Sequence, residues 1–225
     1  IGRLARDPSG YQFVYTVGAE RAAREVGFRP LVAFPDLHRE YHSQQLFSLF
    51  QNRVLNASRQ EYPEFLRRLD LPEGDRDPIK ILAVSGGERQ TDNLEVFPRI
   101  MMAADGGFSC RFFAHGVRHL RQDFQQRIDQ LGEGDALGVT VETTNPVTRV
   151  AIQLQTDDYQ MVGWAPRYLI DDLIKAISTS QALHAKVVRI NASPAPVNQR
   201  LLVELSGRLP PGMTPMSGPD FQALV

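Results

Sequence analysis

The sequence predicts an α+β protein in which a small barrel, or a strongly bent β-sheet, follows a mixed region of one hairpin and several helices. Two observations carry this. Before residue 108 apolar residues recur mostly at helical spacing, and after it six short runs alternate apolar and polar residues. A sheet of six short strands leaves two unpaired edges, which closure into a barrel removes. The 225 residues, 42% of them hydrophobic, are enough for one large core or two modest ones. The texture divides the chain at 1–107, 108–208 and 209–225.

The opening runs, Gly2 to Leu4 and Tyr11 to Tyr15, flank Asp7-Pro8-Ser9-Gly10 and read as a β-hairpin. Ala19 to Val26 reads as a helix that Gly27 stops. Leu46, Phe47, Phe50, Val54 and Leu55 predict a helix within 44–55, and Phe65, Leu66 and Leu69 predict the next. Asp77-Pro78 is a helix start, with Asp as cap and Pro at the first helical position; Ser85-Gly86-Gly87 ends that helix.

In the second half strands are expected near Ser109 to His115, Ala136 to Glu142, Val150 to Gln155, Gln160 to Trp164, Leu183 to Ile190 and Leu201 to Gly207. Helices are expected over Phe124 to Leu131 and Pro166 to Ser178. The closing stretch, rich in Pro, Gly, Met and Ser, reads as a flexible surface tail.

Charge narrows the function classes. With 25 basic against 26 acidic residues, the chain cannot coat nucleic acid through bulk positive charge. Residues 108–208 hold 11 basic and 10 acidic side chains, so a binding surface there must be made by placement. Only Lys80, Lys175 and Lys186 are lysines; the other cations are arginines, whose planar forks suit phosphate and base stacking, although a codon bias explains them equally well. The one cysteine, Cys110, excludes an internal disulfide and a multi-cysteine zinc site, and reads as a core filler in a reducing compartment. No apolar run approaches the roughly 20 residues that span a bilayer, and no basic-then-apolar signal pattern opens the sequence. A cytoplasmic protein with no membrane partner is expected.

Several short patterns have ordinary explanations. His38 and His42 lie four apart around Glu40 but lack the order of a His-Glu-x-x-His zinc motif, so no metal is expected there. Ser85-Gly86-Gly87-Glu88-Arg89 lacks the lysine and hydroxyl of a phosphate-binding loop. Asp157-Asp158 reads as a solvated hairpin tip. No nucleophile triad, zinc motif or carboxylate cluster stands out, and a binding protein without a cofactor, rather than an enzyme, is the expectation.

One ordered constellation goes further. The strings Phe113-Ala114-His115-Gly116-Val117-Arg118-His119, Gly134-Asp135-Ala136-Leu137, Glu142-Thr143-Thr144-Asn145-Pro146, Val150-Ala151-Ile152 and Val162-Gly163-Trp164-Ala165-Pro166-Arg167-Tyr168-Leu169 resemble the HIRAN domain in order and spacing. The resemblance spans about Arg111 to Gly207. It implies an OB-like barrel and binding of nucleic acid, single-stranded DNA or DNA ends, with a place in DNA repair. A family member binds single-stranded DNA at a free 3′ end.

Carried over residue by residue, the resemblance assigns phosphate pairing and base stacking to Arg118 and His119, a contact at the terminal nucleotide to Asn145, and an aromatic face and a basic group to Trp164 and Arg167. Where the family commonly has an aromatic residue and then aspartate, Val147 and Thr148 stand; the Thr148 hydroxyl is left to meet a terminal hydroxyl. The plainer alternatives are a core role for Trp164 and ion pairs of Arg118 and Arg167 with Asp171 and Asp172.

The opening Gly2-Arg3-Leu4 with Gly10-Tyr11-Gln12-Phe13-Val14-Tyr15 faintly resembles the start of HipA-like toxin kinases, but no glycine-rich nucleotide loop follows. A second reading makes the chain a non-catalytic adaptor whose N-terminal region recruits a DNA-processing or toxin protein partner.

Overall fold

A computed structural model describes the chain except for Gln90 and residues 179–182. It is a mixed α and β structure with two antiparallel sheets, and it falls into two compact units: residues 1–54 with 216–225, and residues 55–215.

In the first unit β1 (Gly2–Asp7) and β2 (Gly10–Tyr15) pair from Gly2–Tyr15 to Asp7–Gly10. Pro8 and Ser9 make the predicted turn, and Asp7 Oδ1 accepts from the Ser9 amide at 2.7 Å. Gly10 has φ +134°, and a Cβ there would run into the backbone of Ser43 in β3 (Tyr41–Ser43), so the turn admits only glycine without strain. Helix α1 (Val17–Val26) ends on Gly27 in the left-handed conformation, as expected.

The helix predicted within 44–55 shrinks to one turn, α2 (Ser48–Gln51). Its apolar residues serve an aromatic cluster instead: Phe34 stacks on Phe13 at 4.0 Å and meets Phe47 at 5.0 Å and Phe50 at 6.1 Å. Ring packing, rather than a continuous helical face, produces the spacing.

The tail read as flexible is in part paired. The Leu224 amide donates to Tyr15 O at 3.0 Å, the Val17 amide to Gln222 O at 2.9 Å, and Arg21 pairs with Asp220. A segment too rich in proline and glycine for its own regular structure still carries backbone groups that a neighbouring strand end can use.

The second unit begins well before residue 108. It contains α3 (Tyr62–Arg68), α4 (Pro78–Ser85), β4 (Gly107–Phe113), α5 (Gln122–Ile128), β5 (Ala136–Asn145), β6 (Arg149–Gln155), β7 (Met161–Trp164), α6 (Ile170–Ser178), β8 (His184–Ile190) and β9 (Leu201–Arg208). Asp77 caps α4 by accepting from the Ile79 amide at 3.0 Å, and left-handed Gly86 closes it. All six strands expected in this half are present, in the antiparallel order β4-β9-β8-β5-β6-β7. Ile152, Leu154, Leu201, Leu202, Val203 and Leu205 lie buried on them, with Leu169 and Leu173 covering from α6 and the turn before it.

The expected barrel is not closed by a continuous ladder. Among the described residues the outer strands β4 and β7 meet through one antiparallel bridge, His115 to Trp164, just beyond the end of β4. β7 is four residues long, too short to pair along β4. No described helix is long and apolar enough to cross a membrane.

Cys110 is buried in β4, and burial, with the charge of Glu204 adding to it, pushes its thiol up to about 12. A group raised this far remains the unreactive thiol at pH 8. The native protein is therefore expected to resist a thiol-reactive dye at pH 8 and to take up one equivalent in denaturant; rapid labelling of the native protein would contradict the burial.

Candidate nucleic-acid interface

Within the second unit a groove of about 1060 Å³ runs between the β5–β6 hairpin, the turn after β4, the start of α6 and the segment that follows α4. Arg118, His119, Asn145, Thr148, Trp164 and Arg167, the residues assigned by sequence, all line it.

The platform is Trp164. Its main chain is fixed by the bridge to His115, with amide-to-carbonyl distances of 2.8 and 3.0 Å. Its six-membered ring lies against Gly116, where φ is +73° and a Cβ would come within 2.6 Å of Cζ3. Its indole Nε1 donates to Glu142 Oε2 at 2.7 Å. The side chain is half-buried, so it is neither a core filler nor a free ring.

The same carboxylate oxygen of Glu142 accepts from Asn145 Nδ2 at 3.0 Å. Burial alone would raise the Glu142 carboxyl, but the hydrogen bonds from Asn145, Trp164 and Gln153 outweigh it and hold the group below its ordinary range. Glu142 is thus ionised at neutral pH with its charge already met.

Asn145 is committed to the turn. Its Oδ1 accepts from the amides of Val147 at 3.0 Å and Thr148 at 3.1 Å, and from the Thr148 hydroxyl at 3.1 Å. Such a side chain shapes the loop, with one amide hydrogen left to offer. Val147 stands 71% exposed at the tip, without the ring that the family commonly has there.

Arg118 and Arg167 are exposed, and no carboxylate pairs with either among the described residues. Arg118 Nε donates to His119 Nε2 at 3.0 Å, which orients the imidazole and leaves the terminal guanidinium nitrogens unused. Among the described residues neither arginine pairs with the acids of α6; Asp172 lies 3.9 Å from Lys175.

By count the groove is neutral, lined by Arg89, Arg111, Arg118 and Arg167 against Glu88, Asp92, Glu95 and Glu142. Its acids are nevertheless occupied. Glu142 is bonded as described, Glu95 lies 3.3 Å from His115, Glu88 accepts from Asn198, and Asp92 accepts from the Leu94 amide at 3.0 Å. Arg111 is held by Glu204 and Asp70. Among the described residues no carboxylate pairs with Arg89, Arg118 or Arg167, the groove's remaining cations.

Sequence reasoning missed the second wall. Residues 83–86, Glu88, Arg89 and residues 92–96 line the groove, pinned by the Val96 amide to Gly86 O at 2.7 Å and by Phe97 stacked on Tyr168 at 3.7 Å. Burial, reinforced by Glu95, raises the Tyr168 phenol, so it remains protonated. Ser85 and Gly86 of the helix stop lie in this wall, and the loop beyond them has no periodicity to announce a contact. His38 and His42 sit beside Glu20 and Glu40, and Arg127 faces Asp157 and Asp158. Among the described residues no three metal-ligating side chains gather.

Two solved structures align with about half of the chain. It is similar to a HIRAN domain. That domain, from human HLTF, matches 48% of this chain over 81% of its own length, at 15% identity and a TM-score of 0.33. A structural-genomics protein from Lactobacillus plantarum matches 47% of the chain over its whole length, at 19% identity and a TM-score of 0.37. No family model and no curated protein matches the sequence.

Proposed function

We propose that the chain is a non-catalytic nucleic-acid-binding protein that takes single-stranded DNA, including DNA ends, into the groove of its second unit. The observation that carries this reading is the convergence of six residues, drawn from three separate stretches of sequence, on one groove with unpaired arginines beside a held tryptophan. Stacking of a base on Trp164, with His119 beside it, supplies the sequence-independent part of the affinity. Arg118 and Arg167 meet phosphates, and neutral lining charge keeps this attraction local. With Val147 and Thr148 in place of a ring and a carboxylate, recognition of a terminus falls to the Thr148 hydroxyl and the turn backbone.

The reading is tested by anisotropy of labelled single-stranded DNA with free and blocked 3′ ends at two salt concentrations. Binding weakens as salt rises, and Arg118→Ala/Arg167→Ala lowers the slope of log affinity against log salt by about 1.4, roughly 0.7 for each phosphate on a single strand. Equal affinity for both DNAs assigns the groove to strand interiors. No binding to either at low salt would remove the nucleic-acid reading and leave that of a protein adaptor.

A further inference from the structure

We infer that Glu142 is the positioning residue of the groove's aromatic platform, locking the indole of Trp164 between its carboxylate and Gly116 so that the ring is already set when a base arrives. Trp164 lies on β7, and β7 contributes only four residues to the sheet edge. Such an edge gives a large side chain little to pack against. Three constraints replace that packing: the main-chain bridge to His115, the close approach of the six-membered ring to Gly116, and the 2.7 Å bond from Nε1 to Glu142 at the opposite end of the indole. A ring held at both ends loses little rotational freedom on binding, which is where preorganisation gains affinity.

Glu142 is suited to this role by its place in β5. The register shifts between Glu142 and Asn145, and the Asn145 amide grips the same oxygen that receives the indole. The hairpin turn and the platform therefore share one anchor. Charge makes the case sharper: a carboxylate beside bound phosphates opposes the ligand, so removing one that served no other purpose would strengthen binding. The positioning role predicts the opposite sign.

The chain has one tryptophan, so its emission reports on Trp164 alone. Full-length wild type, Glu142→Gln, Glu142→Ala and Glu142→Leu are compared by intrinsic fluorescence, steady-state anisotropy of that emission, circular dichroism and affinity for an oligothymidylate. Glutamine retains an acceptor for the indole N–H and is expected to keep emission, anisotropy and affinity close to wild type, within about twofold, a small change beside the loss of one stacked base. Alanine and leucine remove the acceptor and are expected to red-shift the emission, lower its anisotropy and weaken binding about tenfold, the lower range for losing one stacked base.

Unchanged emission in either acceptor-free variant would overturn the proposal, as would tighter DNA binding by all three. Failure of both acceptor-free variants to fold would also overturn it, by making Glu142 a requirement of the fold. The DNA arm rests on the nucleic-acid reading above; if wild type binds no DNA, that reading fails while the fluorescence arm still decides the role of Glu142.

Discussion

Trp164→Ala is expected to weaken single-stranded DNA binding by about 1–3 kcal/mol, roughly five- to 150-fold, the range for losing one stacked base. On the proposed reading, the effect is expected toward the upper part of that range. Deleting the indole removes the proposed stacking face, uncovers Gly116 and leaves the Glu142 carboxylate without its 2.7 Å donor, beside the proposed phosphate contacts. The last change adds repulsion to lost attraction. Trp164→Phe separates the contributions: it keeps a ring but no N–H, so an intermediate affinity is expected. Titrating both variants by DNA anisotropy, with urea unfolding to confirm a folded chain, provides the measurement. An affinity for Trp164→Ala within twofold of wild type would take this ring out of the interface.

The parts of this site that were legible from sequence are those set by local rules. Short apolar runs located all six strands of the second half, with β4 and β8 alternating buried and exposed residues, and Asp77-Pro78, Gly86 and Gly27 act within a turn of where they stand. Arg118, His119, Trp164 and Arg167 came from an ordered resemblance that fixes where strands and turns fall, and the groove gathers them. The partners those residues choose were not legible. Nothing local tells that Glu142, on an alternating strand, turns to an indole 22 residues away, or that Asn145 uses its carbonyl oxygen on its own turn rather than on a ligand. The spacing of Phe47 and Phe50 misled for a related reason: rings brought together by tertiary packing imitate a helical stripe.

The residue-108 boundary gives the prediction with the largest effect. A fragment of residues 108–208, the span with strand texture, is expected to show no cooperative unfolding transition, whereas residues 55–215 are expected to melt cooperatively. Leu66, Leu69, Ile81 and Leu82 are essentially fully buried, and α4 packs against β4. Burying a side chain of this size contributes about 1.5–3 kcal/mol, so these four together approach the whole stability of a domain, about 5–15 kcal/mol. The polar links point the same way. Asp70 accepts from Arg111 at 2.9 Å and from Arg189 at 2.8 Å, and Asn191, itself buried, donates to Arg68 O at 3.1 Å. Cutting the chain at 108 removes one partner from each and exposes the apolar face of β4, which favours association of the fragment. Thermal melting followed by circular dichroism decides the matter. If the short fragment melts cooperatively within a few degrees of the longer one, residues 55–107 are an accessory to the sheet. If it does not, the helical region is part of the binding module, since the second wall of the groove, with Gly86, Arg89 and Glu95, is built from the same segment that completes the core.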